Sequence, residues 1–197
     1  MPLTRELEKA LDDNDGIITT AKANEIGISN ERLRLLVKEG VLERVSFGVY
    51  ITAEEFVDKM YIMQLRRPIM IYSHETALYL HDLTDRDPLR YAITVPTGYS
   101  TNRLRDDGLK VYTIKKELYD VGLSKATTIF GHEVNVYNME RTICDCLRSR
   151  NQMDVAILTD AVKRYSKRKD KDLTSLMEMA EKFRVTKLIR TYMEVLL

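Results

Sequence analysis

The sequence predicts an α/β (α+β) protein of two unequal parts, and three observations carry the prediction. Two short helical patterns near the N-terminus are broken by Gly27-Ile28-Ser29, and a hairpin-like stretch ending in Phe47-Gly48-Val49-Tyr50-Ile51 follows them. Beyond it, strand and helix patterns alternate until the last sixty residues, which read as helical. A chain of 197 residues has room for a small module, residues 1–53, and a second domain, 54–197, with a core of its own.

In the first helix, Leu3, Leu7, Ala10 and Leu11 recur on one face behind a Thr4 cap. Thr19 or Thr20 offers a hydroxyl to cap a second helix, whose Ala21 and Ala23 let a neighbouring helix cross closely. Gly27 ends that helix, because glycine reaches the left-handed conformation of a tight turn, and Ser29 caps the next. On this third helix Leu33, Leu36 and Val37 face inward, which leaves Asn30, Arg34 and Lys38 as an outward stripe interrupted by Leu35. Val41 to Val45 and Val49 to Ile51 read as strands joined by Ser46-Phe47-Gly48, with Arg44 on the resulting wing.

That order is a winged helix-turn-helix, a module that reads duplex DNA. Arginine matches guanine edges, asparagine matches adenine, and lysine neutralises phosphate, so the stripe suits a major groove. Thr20, Lys22, Ser29, Asn30, Arg32, Arg34, Lys38 and Arg44 are the expected DNA-binding residues. Residues 1–52 nevertheless hold seven Lys or Arg against nine Asp or Glu, so binding requires that charge be segregated. Glu6, Glu8, Asp12, Asp13 and Asp15 gather on the first helix and its loop, away from the basic residues of third helix and wing. Three short helices and a hairpin also occur in modules that bind protein.

The second domain opens with a helical pattern from Glu54 to about Arg66 that Pro68 stops. A strand at 69–72, a helix capped by Ser73 and carrying Ala77, Leu78 and His81, and strands at 91–95 and 109–113 come next. Thr127 to Phe130 and Glu133 to Tyr137 are expected to form a hairpin turned at Gly131. Asn138 caps a helix that buries Met139, Ile143, Cys146 and Leu147, and later stripes run through Leu173, Leu176, Ala180 and Phe183, then Ile189, Tyr192, Met193 and Leu196.

Net charge is +1, so any basic surface is local. The most basic stretch, 163–171, carries six positive charges and one negative. Its Lys163, Arg164, Lys167, Arg168 and Lys169 are a candidate second phosphate contact or a solvated helix end. Met1-Pro2-Leu3-Thr4-Arg5 leads into an amphipathic helix, not a secretory core, and no apolar run would span a bilayer, so a cytoplasmic protein without membrane contact is expected. Cys144 and Cys146 are read as small buried hydrophobes.

Enzyme signatures fail. His74-Glu75 opens like a zinc-protease helix, but position 78 is leucine where the second histidine belongs. His81 and His132 are isolated, and the eight glycines form neither a phosphate loop nor a dinucleotide fingerprint. No catalytic residue, metal ligand or cofactor is expected.

Gly40-Val41-Leu42-Glu43-Arg44 with Gly48-Val49-Tyr50, then Ser73-His74-Glu75-Thr76-Ala77-Leu78, Ile93-Thr94-Val95-Pro96, Glu140-Arg141-Thr142-Ile143-Cys144-Asp145 and Ala161-Val162-Lys163-Arg164-Tyr165, resemble in their order the AbiEi antitoxin family. The resemblance implies the antitoxin of a type IV toxin-antitoxin pair used in abortive infection and phage defence. It implies a winged domain that represses its own operon at inverted repeats, where two copies bind cooperatively. It also implies a C-terminal domain that counters a nucleotidyltransferase-like toxin without a stable complex. Two rivals stay open: an adaptor that sequesters the toxin directly, and a metal-dependent nuclease targeted by the winged module.

Overall fold

The computed structural model describes residues 3–53 and 56–196. Met1, Pro2 and Glu54 lie outside these residues, and with them the first two positions of the N-terminal reading and the expected start of the linking helix; the side chain of Leu196 lies outside as well. The chain packs as two compact units, Met1–Pro68 and Ile69–Leu197.

In the first unit, Thr4 caps α1 (Arg5–Asp12) by accepting from Leu7 N, and the helix buries Leu7, Ala10 and Leu11. β1 (Ile17–Thr19), a strand absent from the sequence reading, leads into α2 (Thr20–Glu25). Thr19, not Thr20, is the cap: its Oγ1 accepts from Lys22 N at 3.1 Å. Gly27 at φ 81° turns the chain, and Ser29 Oγ accepts from Arg32 N at 3.2 Å to start α3 (Asn30–Lys38). The wing is β2 (Leu42–Ser46) and β3 (Val49–Thr52), and β1 pairs antiparallel with the far edge of β3, giving the order β1-β3-β2.

Strand alternation gives this sheet two covered faces. Ile18 and Tyr50 point toward Leu7, Leu11, Ala23, Leu33 and Leu36. Ile17, Val49 and Ile51 point the other way and meet Ile62 of α4 (Lys59–Arg66). That contact is why the compact units divide at 68/69 and not at 53/54: α4 is the second layer of the winged module. It starts at Lys59, where Asp58 Oδ1 accepts from Tyr61 N at 3.1 Å, so Phe56 and Val57 precede the helix and are exposed.

The second unit is built on a five-stranded sheet ordered β6-β5-β4-β8-β7. β4 (Ile71–Tyr72) leads into α5 (His74–Leu80), and β5 (Ala92–Pro96) pairs antiparallel with β4. α6 (Asn102–Asp106) crosses to β6 (Lys110–Ile114), parallel to β5. After α7 (Lys116–Tyr119), β7 (Leu123–Thr127) and β8 (Glu133–Tyr137) form the hairpin. The expected first strand at 127–130 is thus displaced toward the N-terminus, and residues 128–132 are the connection. β8 joins β4 in parallel at Tyr72 and Val136.

α8 (Met139–Arg148), capped by Asn138, runs through the core with every residue from Glu140 to Leu147 buried. A 3-10 turn (Arg150–Gln152), α9 (Val155–Lys167), α10 (Leu173–Lys182) and α11 (Thr186–Leu196) complete the unit. Ile143, Cys146, Leu147, Leu158, Leu176, Phe183 and Ile189 interlock between these helices.

Candidate nucleic-acid interface

α3 meets the rest of its unit through Leu33 and Leu36, both wholly buried. At about 1.5–3 kcal/mol each, these two side chains fix which face is turned out. Asn30, Arg34, Leu35 and Lys38 are exposed as a result, while Arg32 is half-buried. Leu35 remains 40% exposed at the middle of this surface, an apolar group among polar ones. Ser29 is occupied as the helix cap, which leaves its outer surface at the start of the helix.

α2 supports the wing. Thr20 N donates to Gly48 O at 2.8 Å, and a Cβ added at Gly48 would lie 3.3 Å from Thr20 Oγ1, so the wing turn sits against the start of α2. Lys22 is exposed and pairs with Glu25 at 3.3 Å. On the wing, Arg44 Nε donates to Ser46 O at 3.3 Å and its guanidinium lies 5.3 Å from the centre of the Phe47 ring. Phe47, 81% exposed at the tip, was not among the expected contacts. Thr20, Lys22, Ser29, Asn30, Arg32, Arg34, Lys38 and Arg44 all lie in the first unit, on α2, α3 and the wing. Glu6, Glu8 and Asp12 are exposed on α1.

The basic stretch of the second unit is partly neutralised by its own surroundings. Arg164 pairs with Asp85 and, at 2.8 Å, with Asp160. Arg168 pairs with Asp170 at 2.7 Å and donates to His81 O at 3.1 Å. Of the five residues proposed there, Lys163, Lys167 and Lys169 keep exposed positions.

A second polar cluster had no counterpart in the sequence reading. His74, read as half of a failed zinc motif, is buried and has φ 49°, a rare conformation for a side-chain-bearing residue. Its ring stacks on Tyr112 with centroids 3.5 Å apart. Nδ1 lies 3.0 Å from Ser73 Oγ, which also accepts from Thr94 Oγ1, and Nε2 lies 3.1 Å from Ser149 Oγ. Ser73 therefore orders this network and makes no cap bond to α5. Burial pushes the imidazole well below its ordinary value, and Lys110, Arg141 and Arg148 add to the shift, so the ring is neutral. Beside it, Arg141 Nε donates to Asp145 at 2.7 Å, the one sequence-visible sign being their i,i+4 spacing.

Cys144 and Cys146 are buried and free. Burial pushes the Cys144 thiol up to about 12 and Cys146 up as well, which disfavours thiolate chemistry. Among the described residues, no three His, Cys, Asp or Glu side chains come together to hold a metal, and no helix is long and apolar enough to cross a membrane.

The crystal structure of the RV2827C protein from Mycobacterium tuberculosis superposes with a TM-score of 0.61 at 14% identity, covering 93% of this chain and 75% of that one. The likeness is one of fold. Comparison with curated proteins finds no match. Residues 5–53 match the family described as transcriptional regulator, AbiEi antitoxin, a segment that takes in α1 to α3 and the wing. That match spans about a quarter of the chain and likens its winged module to the transcriptional regulators of the AbiEi antitoxin family.

Proposed function

We propose that the protein is the antitoxin of a type IV toxin-antitoxin pair and represses its own operon by laying α3 into the major groove of inverted repeats. The observation that carries the reading is the exposed stripe of Asn30, Arg34 and Lys38 on a helix whose opposite face is locked in the core. Lys22 and Arg44 flank that stripe as phosphate contacts. The second unit, acting in the cytoplasm and without catalysis of its own, counters a nucleotidyltransferase-like toxin.

Fluorescence anisotropy of the full chain on its own upstream DNA and on random DNA tests this. Selective binding that Arg34→Ala weakens by on the order of 1–3 kcal/mol at the operator supports base reading. Equal, weak binding to both DNAs would overturn repression through this helix.

One observation favours the adaptor as a second reading. Ile129 is 81% and Phe130 45% exposed where the β7–β8 hairpin turns, an apolar tip suited to a protein partner. Co-purification of the toxin with the full chain, lost on Ile129→Ser, would support that reading.

A further inference from the structure

The second unit contains a cavity of about 50 Å³ lined from α5, β6 and α8, among others by His74, Tyr112, Arg141, Asp145, Arg148 and Ser149. One water needs about 10–15 Å³, so the space suits a few waters or one small polar group. Two guanidinium groups and one carboxylate face it, and His74 is neutral, which leaves an excess of one positive charge. Asp145 is already engaged by Arg141 at 2.7 Å and Arg148 at 3.4 Å.

Arg141 is wholly buried, yet its donors are incompletely used. Nε serves Asp145 and Nη1 serves the carbonyls of Leu118 and Val121, while Nη2 has no hydrogen-bond partner among the described residues. A buried charged donor left unmatched is costly, so an acceptor is called for. His74 is held at φ 49° with its ring flat on Tyr112 and Nε2 on Ser149. Such strain persists where surroundings over-determine a residue, as they do in ligand clamps. Arg148 is 38% exposed and Ser149 half-buried, so the cationic side of the cavity reaches solvent.

We propose that this cavity binds one small oxyanion, either free phosphate or the phosphoryl head of a small phosphomonoester, between Arg141, Arg148 and the His74–Ser149 pair. Its size excludes anything larger than the head group, and its charge excludes cations. Every residue that lines the cavity belongs to the second unit.

The test is calorimetric titration of the full chain with inorganic phosphate and, separately, methyl phosphate at constant ionic strength in chloride, with the His74 ring followed by NMR. Saturable one-site binding is expected, with the His74 resonances moving in parallel and Arg148→Gln weakening affinity by about tenfold or more. Tighter methyl phosphate assigns a phosphomonoester, and tighter phosphate assigns the free ion. Ser149→Ala, which removes the hydroxyl facing Nε2, gives the same reading if Arg148→Gln does not fold. Heat that fails to saturate, an unmoved His74 ring, or affinity unchanged in a folded variant would overturn the site and leave ordered water as the occupant.

Discussion

Arg141 carries more of the second unit than its exposed counterparts do. Its guanidinium lies 4.1 Å from the ring centre of Tyr137 and 4.0 Å from that of Phe183, and it ties α8 to α7 through Leu118 and to the segment after α7 through Val121. Removing one partner of a buried pair leaves the other charged and unmatched, so Arg141→Ala should cost about 3–5 kcal/mol in urea denaturation followed by tyrosine fluorescence. Combining Arg141→Met with Asp145→Leu should recover part of the loss of Arg141→Met alone; a double variant no better than the single one would contradict a charge-pair origin. His74 supplies a pH dependence. Its folded value lies well below the ordinary 6.5, so the unfolded chain takes up the proton first as pH falls. Its stabilising effect is full above about pH 6.5 and declines below it, by at most about 1.4 kcal/mol per pH unit. His81, also lowered by burial, acts with the same sign, whereas Asp145, raised by burial, opposes the decline nearer the carboxylate range. Denaturation midpoints between about pH 8 and 5 should fall more gently in His74→Gln than in the wild-type chain; equal slopes would place the effect elsewhere.

Elements were legible where several local signals agreed. α3 announced itself by a capping Ser29, a glycine turn before it and an apolar face of period 3.6, and those cues also fixed which residues point outward. Ser29→Ala should therefore destabilise the first unit by about 1 kcal/mol, read as a lower melting temperature with the fold retained. β1 escaped because three residues alternate only once, and Thr19 doubles as a helix cap. β7 was misplaced because it is an edge strand whose pattern has exposed Leu123, Lys125 and Thr127; pairing with β8, not burial, defines it. The His74 network was invisible for a different reason: its partners Ser149 and Tyr112 come from distant segments and carry no shared motif. Gly122 shows the same long-range control. It has φ 76°, and a Cβ there would lie 2.7 Å from Arg141 Cβ, so Gly122→Ala should cost more than about 1 kcal/mol. A variant as stable as wild type would mean that α8 shifts freely.

At the scale of the molecule, a net charge of +1 requires that any affinity for DNA come from local cations. If Lys22, Lys38 and Arg44 each neutralise a phosphate, the logarithm of operator affinity should fall against log salt with a slope of about −3 per bound copy. Lys38→Ala should reduce that slope by about 1. Lys167→Ala should leave it unchanged unless the basic end of α9 also touches DNA, in which case the slope drops equally. Two copies on inverted repeats would place their α3 helices about 34–36 Å apart or at a multiple of that distance.

The parallel junction of β4 with β8 has a consequence for synthesis. Tyr72 pairs with Val136, whereas the strand pairs of the first unit all close within residues 17–52. At about 5–20 residues per second, a ribosome spends roughly 3–13 s between those two partners, and the central sheet cannot close before the second has emerged. Each nascent chain thus passes through an interval in which the winged module is complete and the sheet of the second unit is still open.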